Sequence, residues 1–525
     1  MQVPLLVDDF LRRAAKLYAD KTAIVDGDRR FTYREYAGRV HRLARALLEL
    51  GVGPGDRVCI LSPNSHYFLE SFYATSEIGA ILVPLNYRLV AEDHEYILGH
   101  AGVRVVLADP EFTAVLDGLR GRLPEVAHWV VAGGASDAGP DWQSWDVLTD
   151  AQSDEPPEPV ERDENDVLSI NYTSGTTARP KGVMLTHRNC YLNAYNLIAH
   201  LRMRHEDVEL WTLPLFHCNG WGGPYALTAL GGTHVILRKI DARTSFELIA
   251  DEGVTFACMA PAVLSAVLEY EDRERHAIST RPRFTVAGAP PPPAFIERLE
   301  RDLGWEFLQI YGLTETAPLL TVSQPDANTP ADDWERRGRA GVEGIGVEIE
   351  VRDDDGNPVP RDNRTVGEVC ARSNVVFAGY WEQADETAKA VYDGFFHTGD
   401  LAVWDAAGNI HIVDRKKDVI ISGGENISSA DIEATLYEHP AVLECAVIGV
   451  PDEKWGETPK ALVVLREAGA AGEDELLAYC RERMAHFKCP TSVDFLGELP
   501  RTATGKLQKF RLRERYWGGD VRRVN

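Results

Sequence analysis

Eleven residues, Tyr172 to Gly182, hold Thr173, Ser174, Thr176 and Thr177, the glycines Gly175 and Gly182, and Lys181. Hydroxyls, glycine amides and one mobile cation at that density suit a single chemical task, wrapping a polyphosphate in O–H and N–H donors. The stretch is not a Walker A loop, because Lys181 precedes Gly182 and no Ser or Thr follows the lysine. An ordinary turn would explain the small residues but not the Pro180-Lys181 pair. Further along the chain, charged residues recur in short motifs rich in Gly and Thr. These are Tyr311-Gly312-Leu313-Thr314-Glu315-Thr316, Phe396-His397-Thr398-Gly399-Asp400, Asp414-Arg415-Lys416-Lys417-Asp418, Ser422-Gly423-Gly424-Glu425-Asn426 and Leu499-Pro500-Arg501-Thr502-Ala503-Thr504-Gly505-Lys506.

The elements that must position these groups follow from periodicity. Thr32 and Glu35 form a capping box ahead of a helical stripe at Tyr36, Val40, Leu43, Leu47 and Leu50, which Gly51 ends. Arg57–Leu61 and Ala80–Leu85 read as buried strands around a helix through Tyr67–Leu69. The phosphate-type loop follows a strand, Val167–Tyr172, and precedes a helix capped by Thr186. Strands alternating with helices predict parallel sheets wrapped on both faces. Residues 153–166, rich in Pro and acids, read as a linker or surface loop. After about residue 340 short β-rich runs split by turns (Asp353–Asn357) suggest a small barrel or meander. From about residue 419 a compact α+β unit begins.

With 525 residues the chain is too long for one core, so several domains are expected. The start of the chain lacks the basic cluster and long apolar run of a signal peptide, and no stretch is long and apolar enough to span a bilayer. A cytoplasmic enzyme without integral membrane association is the expectation. The eight cysteines include no CxxC pair, so neither a zinc site nor a disulfide framework is encoded. A net charge of −26 argues against a nucleic-acid surface. It also means that anionic ligands must be held by local donors rather than by the global field. The tail is a local exception. From Lys506 onward seven Lys and Arg face Glu514 and Asp520, a basic helix end that is either solvated or meets phosphates.

Taken together and in order, these motifs resemble those of the adenylate-forming (ANL) superfamily, and within it the AMP-forming acyl-CoA synthetases. One position departs: Ala178 stands where the family usually has glycine. The resemblance implies a large α/β domain, residues 1–413, of two doubly wound subdomains plus a small β-barrel at about 340–413. A hinge at 414–418 pivoting on Lys417 and a small mobile α+β domain, 419–525, follow. It implies that ATP is bound by Thr173, Ser174, Gly175, Thr176, Thr177 and Lys181, by Gly288-Ala289-Pro290, Gln309, Tyr311, Gly312 and Thr314, and by Asp400, Arg415 and Lys506. Tyr311 would stack on the adenine, Asp400 and Arg415 would hold the ribose, and Glu315 with Thr173 would hold Mg²⁺. Joining a carboxylate to the α-phosphate brings two anions together, so the transition state needs concentrated positive charge. Lys506 resembles the lysine that bridges them; with Thr314, Glu315 and His217 it completes the catalytic candidates. Domain rotation would then withdraw Lys506 and present Gly423 and Gly424, with Trp455 and Gly456, to a coenzyme A channel.

The candidate acyl pocket comprises His217, Asn219, Gly220, Trp221, Gly288 and Leu313. His217 occupies the place of the aspartate that pairs with the substrate ammonium in amino-acid-activating relatives, which disfavours an α-amino acid. Trp221 resembles the gating tryptophan of fatty-acyl-CoA synthetases. The expectation is therefore an acid–thiol ligase using ATP, Mg²⁺ and coenzyme A on a medium- to long-chain fatty or related acid. An aryl acid, or loading of a carrier protein instead of coenzyme A, is the alternative. A homodimer is implied by resemblance alone.

Overall fold

The computed structural model describes residues 1–525 except 134–138, 174–178, 260, 288–290, 292, 326–328, 417, 423–424, 453, 502–506 and 518–525. Among the described residues the strands form four sheets, of nine, eight, five and five strands.

The first two sheets are the α/β body. In one, Arg57–Leu61, Ile81–Pro84, Val103–Ala108, His128–Val131 and Val167–Thr173 run parallel. In the other, Val208–Trp211, Thr233–Ile236, Phe256–Met259, Arg283–Val286 and Glu306–Gly312 do the same. Their strands are almost wholly buried (Val103, Val105, Phe284 and Phe307 are at 0%), as strands covered by helices on both faces must be. The predicted capping box is present. Thr32 accepts from the Glu35 amide, and the Glu35 carboxylate accepts from the Thr32 amide at 2.7 Å.

One local expectation changes. The Thr173–Lys181 segment does not pass from strand to helix. Lys181–Thr186 is itself a strand, antiparallel to Val167–Thr173, with Thr173 opposite Lys181 and Tyr172 opposite Gly182. The helix His187–His200, capped by Thr186 as predicted, starts only after it. Val183 and Leu185, both fully buried and flanking the half-buried Met184, carry the strand signal.

Val347–Arg352, Gly367–Ser373, Val391–Tyr392, Phe395–Trp404 and Ile410–Arg415 build a five-stranded antiparallel sheet, while Gly379–Tyr380 between them pairs with Lys181–Thr186 in the eight-stranded one. A smaller five-stranded sheet, Ile420–Ser422 to Ser492–Phe495, carries helices Ser429–Tyr437 and Glu473–Arg483 over its own apolar core of Ile427, Ile432, Leu436, Val447 and Leu476. Among the described residues no helix is long and apolar enough to cross a membrane.

Candidate active site

Strand register does most of the assembly. Asp400 and Arg415 are direct partners on neighbouring antiparallel strands, and Arg415 Nε lies 2.8 Å from Asp400 Oδ1. Tyr311, at the end of a parallel strand in a different sheet, donates its hydroxyl to Asp400 Oδ2 at 2.8 Å. The Asp400 backbone is fixed by its amide on Thr398 Oγ1, whose own hydrogen goes to Val369 O. Burial and the Asp400 carboxylate push the Tyr311 phenol well above its ordinary value, so it stays a donor. Asp400 in turn holds the Arg415 guanidinium above its usual range. Asp400 is buried, while Tyr311 and Arg415 are only half-covered, leaving faces open to a ligand.

Tyr311 leads into Thr314–Thr316, a short 3₁₀ turn. Glycine is required at 312: a Cβ there would lie 1.7 Å from the Pro318 carbonyl oxygen. Glu315 is half-exposed and accepts at Oε1 from the Tyr380 hydroxyl at 2.9 Å. Lys181 sits 4.9 Å from the centroid of the same Tyr380 ring and pairs with Glu386. At the base of the phosphate-type loop, the Tyr172 hydroxyl meets His100 Nδ1 at 2.7 Å. Thr173, Lys181, Tyr311, Gly312, Thr314, Glu315, Asp400 and Arg415 are therefore tied into one neighbourhood by strand pairing and hydrogen bonds. Gln309 is buried two residues before Tyr311 on the same strand and donates weakly to Ile310 O at 3.5 Å.

The acyl candidates form an unusual turn. Cys218, Asn219, Gly220, Trp221 and Gly222 have φ of 48°, 52°, 59°, 57° and 76°, a run of left-handed backbone in which three members are not glycine. Such residues cost roughly 1–2 kcal/mol each, so surrounding bonds must hold them. Asn219 Nδ2 donates to Ser169 Oγ at 2.8 Å and its Oδ1 accepts from Asn171 at 3.0 Å, tying the turn to the strand that ends at Thr173. Asn193 donates to Trp221 O at 3.1 Å. The Asn219 side chain thus serves the turn from inside the core. His217 is half-buried at its start, Trp221 is buried, and Leu313 is half-buried.

In the small domain, Ser422 pairs with Gly456, which brings the Ile420–Ser422 strand beside the Trp455-Gly456 turn. Trp455 is half-exposed under Lys454, whose Nζ lies 4.4 Å from its ring centroid. Ser174, Gly175, Thr176, Thr177, Ala178, Gly288, Ala289, Pro290, Lys417, Gly423, Gly424 and Lys506 lie outside the described residues.

Residues 11–381 match the AMP-binding enzyme family and residues 431–506 the AMP-binding enzyme C-terminal domain. The chain belongs to the AMP-binding enzyme family. It is 38% identical to 4-hydroxybutyrate–CoA ligase 2 of Metallosphaera sedula, over 97% of this chain and 94% of that one. It is 36% identical to the peroxisomal benzoate–CoA ligase of Arabidopsis thaliana, over 98% and 93%. Among solved structures it resembles the anthranilate CoA ligase AuaEII with anthranoyl-AMP, with a TM-score of 0.90 and 30% identity over 98% of each chain. ATP-bound MatB from Rhodopseudomonas palustris superposes at a TM-score of 0.87, with 28% identity over 98% and 99%. The expected adenylate-forming fold, with its large N-terminal and smaller C-terminal domain, holds across nearly the whole chain, and with it the acid–thiol ligase class.

The sequence reading missed several residues that hold this family site together. Tyr380 and Glu386, which no motif marks, meet Glu315 and Lys181 from about 65 and 205 residues along the chain. A second group sits where the chain crosses into the small domain. Asp414 Oδ2 accepts from the Ser429 amide and hydroxyl at 2.8 and 2.7 Å. Lys509 Nζ reaches Ser429 Oγ at 2.5 Å and Glu433 Oε1 at 2.8 Å, and Arg513 pairs with Asp418. Two cations of the basic tail are therefore turned inward.

Proposed function

We propose that this AMP-forming CoA ligase activates a short aliphatic or aryl carboxylic acid. One acid oxygen attacks the α-phosphorus of ATP, pyrophosphate leaves, and an acyl-adenylate remains. The coenzyme A sulfur then attacks the acyl carbon, its proton passes to solvent, and AMP leaves. The observation that carries the nucleotide reading is Asp400, a buried carboxylate with Tyr311 on one oxygen and Arg415 on the other. A charged acceptor fixed in this way suits the hydroxyls of a ribose, and the half-open Tyr311 ring suits a base. Glu315, one half-exposed carboxylate, fits a metal that takes few protein ligands and shares phosphate oxygens. Mg²⁺ bound there with Thr173 would neutralise phosphate charge. Lys181 contributes a second cation, and Lys506 on the mobile domain a third during adenylation.

Two features support a small acid over a long fatty chain. The sheet face behind the left-handed turn is filled by the Trp211 ring, which is fully buried and would lie 2.9 Å from a Cβ on Gly223 and 3.1 Å from one on Gly220. Relatives named for 4-hydroxybutyrate, benzoate and butyrate point the same way. The test is AMP release from a panel of acetate, butyrate, 4-hydroxybutyrate, benzoate, anthranilate, dodecanoate and palmitate, with mass spectrometry of products with and without coenzyme A. AMP and acyl-CoA from the short or aryl members are expected. Turnover of dodecanoate and palmitate alone would overturn the substrate class, and an adenylate that never passes to coenzyme A would favour a carrier-loading enzyme.

A further inference from the structure

Lys181, the cation of the phosphate-type loop, is already engaged. Its ammonium pairs with Glu386 Oε2, while Glu386 Oε1 accepts from Lys389 at 2.6 Å. Glu386 lies on the helix Ala384–Ala390, which Thr387 pins to the site by accepting from the Tyr380 amide at 2.8 Å. Tyr380 closes the circuit, with its ring under Lys181 and its hydroxyl on Glu315. The Lys181 side chain is 16% exposed and that of Glu386 30%, so the pair stands at the edge of solvent where a ligand can reach it.

A carboxylate in this place is a small stand-in for a phosphate: one negative charge and two acceptor oxygens against a lysine. Its second oxygen is occupied by Lys389, so its grip on Lys181 is shared. A polyphosphate brings more charge and more acceptors than one carboxylate and can take the lysine over, and the carboxylate can take it back once pyrophosphate forms. We propose that Glu386 is a competing counter-ion for Lys181, one that weakens ATP binding and speeds pyrophosphate departure. This rests on the reading of the chain as an adenylating enzyme.

The sign of the effect separates competition from simple support. If Glu386 competes, Glu386→Gln lowers the KM for ATP and the inhibition constant of pyrophosphate by about 2–5-fold, the size of a half-exposed ion pair, and leaves the KM for the acid alone. Lys389→Ala, which returns the whole Glu386 charge to Lys181, raises both constants. In a Lys181→Ala background, Glu386→Gln changes neither. ATP–pyrophosphate exchange with the best acid of the panel reads all of these. Unchanged or raised constants in Glu386→Gln overturn the proposal, as does a fall in Lys389→Ala. Those results leave the adenylating reading intact, whereas absence of exchange in the unmodified enzyme with every acid removes both.

Discussion

Tyr311, Asp400 and Arg415 can be set beside Asp414, Asp418, Glu433, Lys509 and Arg513, since both are carboxylate–cation networks close to the domain boundary. The first is left open on one side. Asp400 is buried, but Arg415 keeps part of its side chain in solvent, and so does the Tyr311 ring. The second is closed on itself: Lys509 and Arg513 are each 11% exposed, and both are spent on acids of the same cluster. Burial alone would lower the Lys509 pKa, but Glu433, Asp414 and Asp418 hold it above its ordinary value. An open network has capacity for a ligand. A closed one fixes backbone, here the helix Lys509–Glu514 against Asp414, Asp418 and the helix Ser429–Tyr437. The charge types in a network do not tell its role, whereas the half left uncovered does.

The two domains should also part under acid, and this is the largest effect expected. The large domain buries His94, His187 and His234, whose pKa values burial pushes down to about 4, about 4 and about 3. His234 Nδ1 accepts from Trp211 Nε1 at 3.1 Å, and His187 Nδ1 accepts from the Val7 amide, so both rings are needed neutral. A folded value below the unfolded 6.5 gives stability that is full above pH 6.5 and is lost as pH falls toward 4. At pH 5.5 each ring costs on the order of 1 kcal/mol, a few kcal/mol in all. In the tail cluster burial raises the Asp414 and Glu433 values, so those groups favour the fold more as pH falls and lose nothing in this window, whereas in the large domain the raised carboxyl of Glu209, on the Trp211 strand, offsets only part of the loss from three histidines. Amide exchange at pH 7 and 5.5 should show protection lost in the strands around Trp211 and kept in Gly456–Leu465. Equal loss in both would break the contrast.

Next in size is the closed network itself. Lys509→Ala leaves Glu433 without its cation in a mostly buried site and should lower unfolding free energy by about 3 kcal/mol, read as a fall in urea midpoint. The KM for ATP of the folded fraction should change little. A variant as stable as the parent would show that the cluster holds nothing.

These networks differ in how far they could be read from sequence. Residue types that phosphate and ribose chemistry demands, such as Lys181, Glu315, Asp400 and Arg415, stand in short motifs, and the structure brings the described ones together through strand register. The tail resisted reading because the groups that bury Lys509 and Arg513 lie 80 and 95 residues upstream, and composition alone makes such cations look solvated. The left-handed turn had only Asn219-Gly220 as a local sign. Positive φ at Cys218 and Trp221 depends on Asn171, Ser169 and Asn193, which folding supplies. The strand after Lys181 was hidden for a different reason: the Pro and Gly beside it look like a continuing loop.

The open network gives the smallest effect and the sharpest one. Asp400→Asn keeps the size of the side chain and an acceptor for Tyr311, but removes the charge that Arg415 faces. Arg415 keeps contact with solvent, so stability should fall less than in Lys509→Ala. A charge-assisted bond to a ribose hydroxyl is worth about 1.5–3 kcal/mol, so kcat/KM for ATP should drop by about 10²-fold. Stability loss cannot imitate the second readout. The parent enzyme should discriminate ATP from 2′-deoxy-ATP, and Asp400→Asn should lose most of that discrimination, because the group that senses the hydroxyl has gone. If the variant still separates the two nucleotides as the parent does, Asp400 is only a brace between Tyr311 and Arg415. The open network would then be a closed one, and the difference between the two regions would vanish.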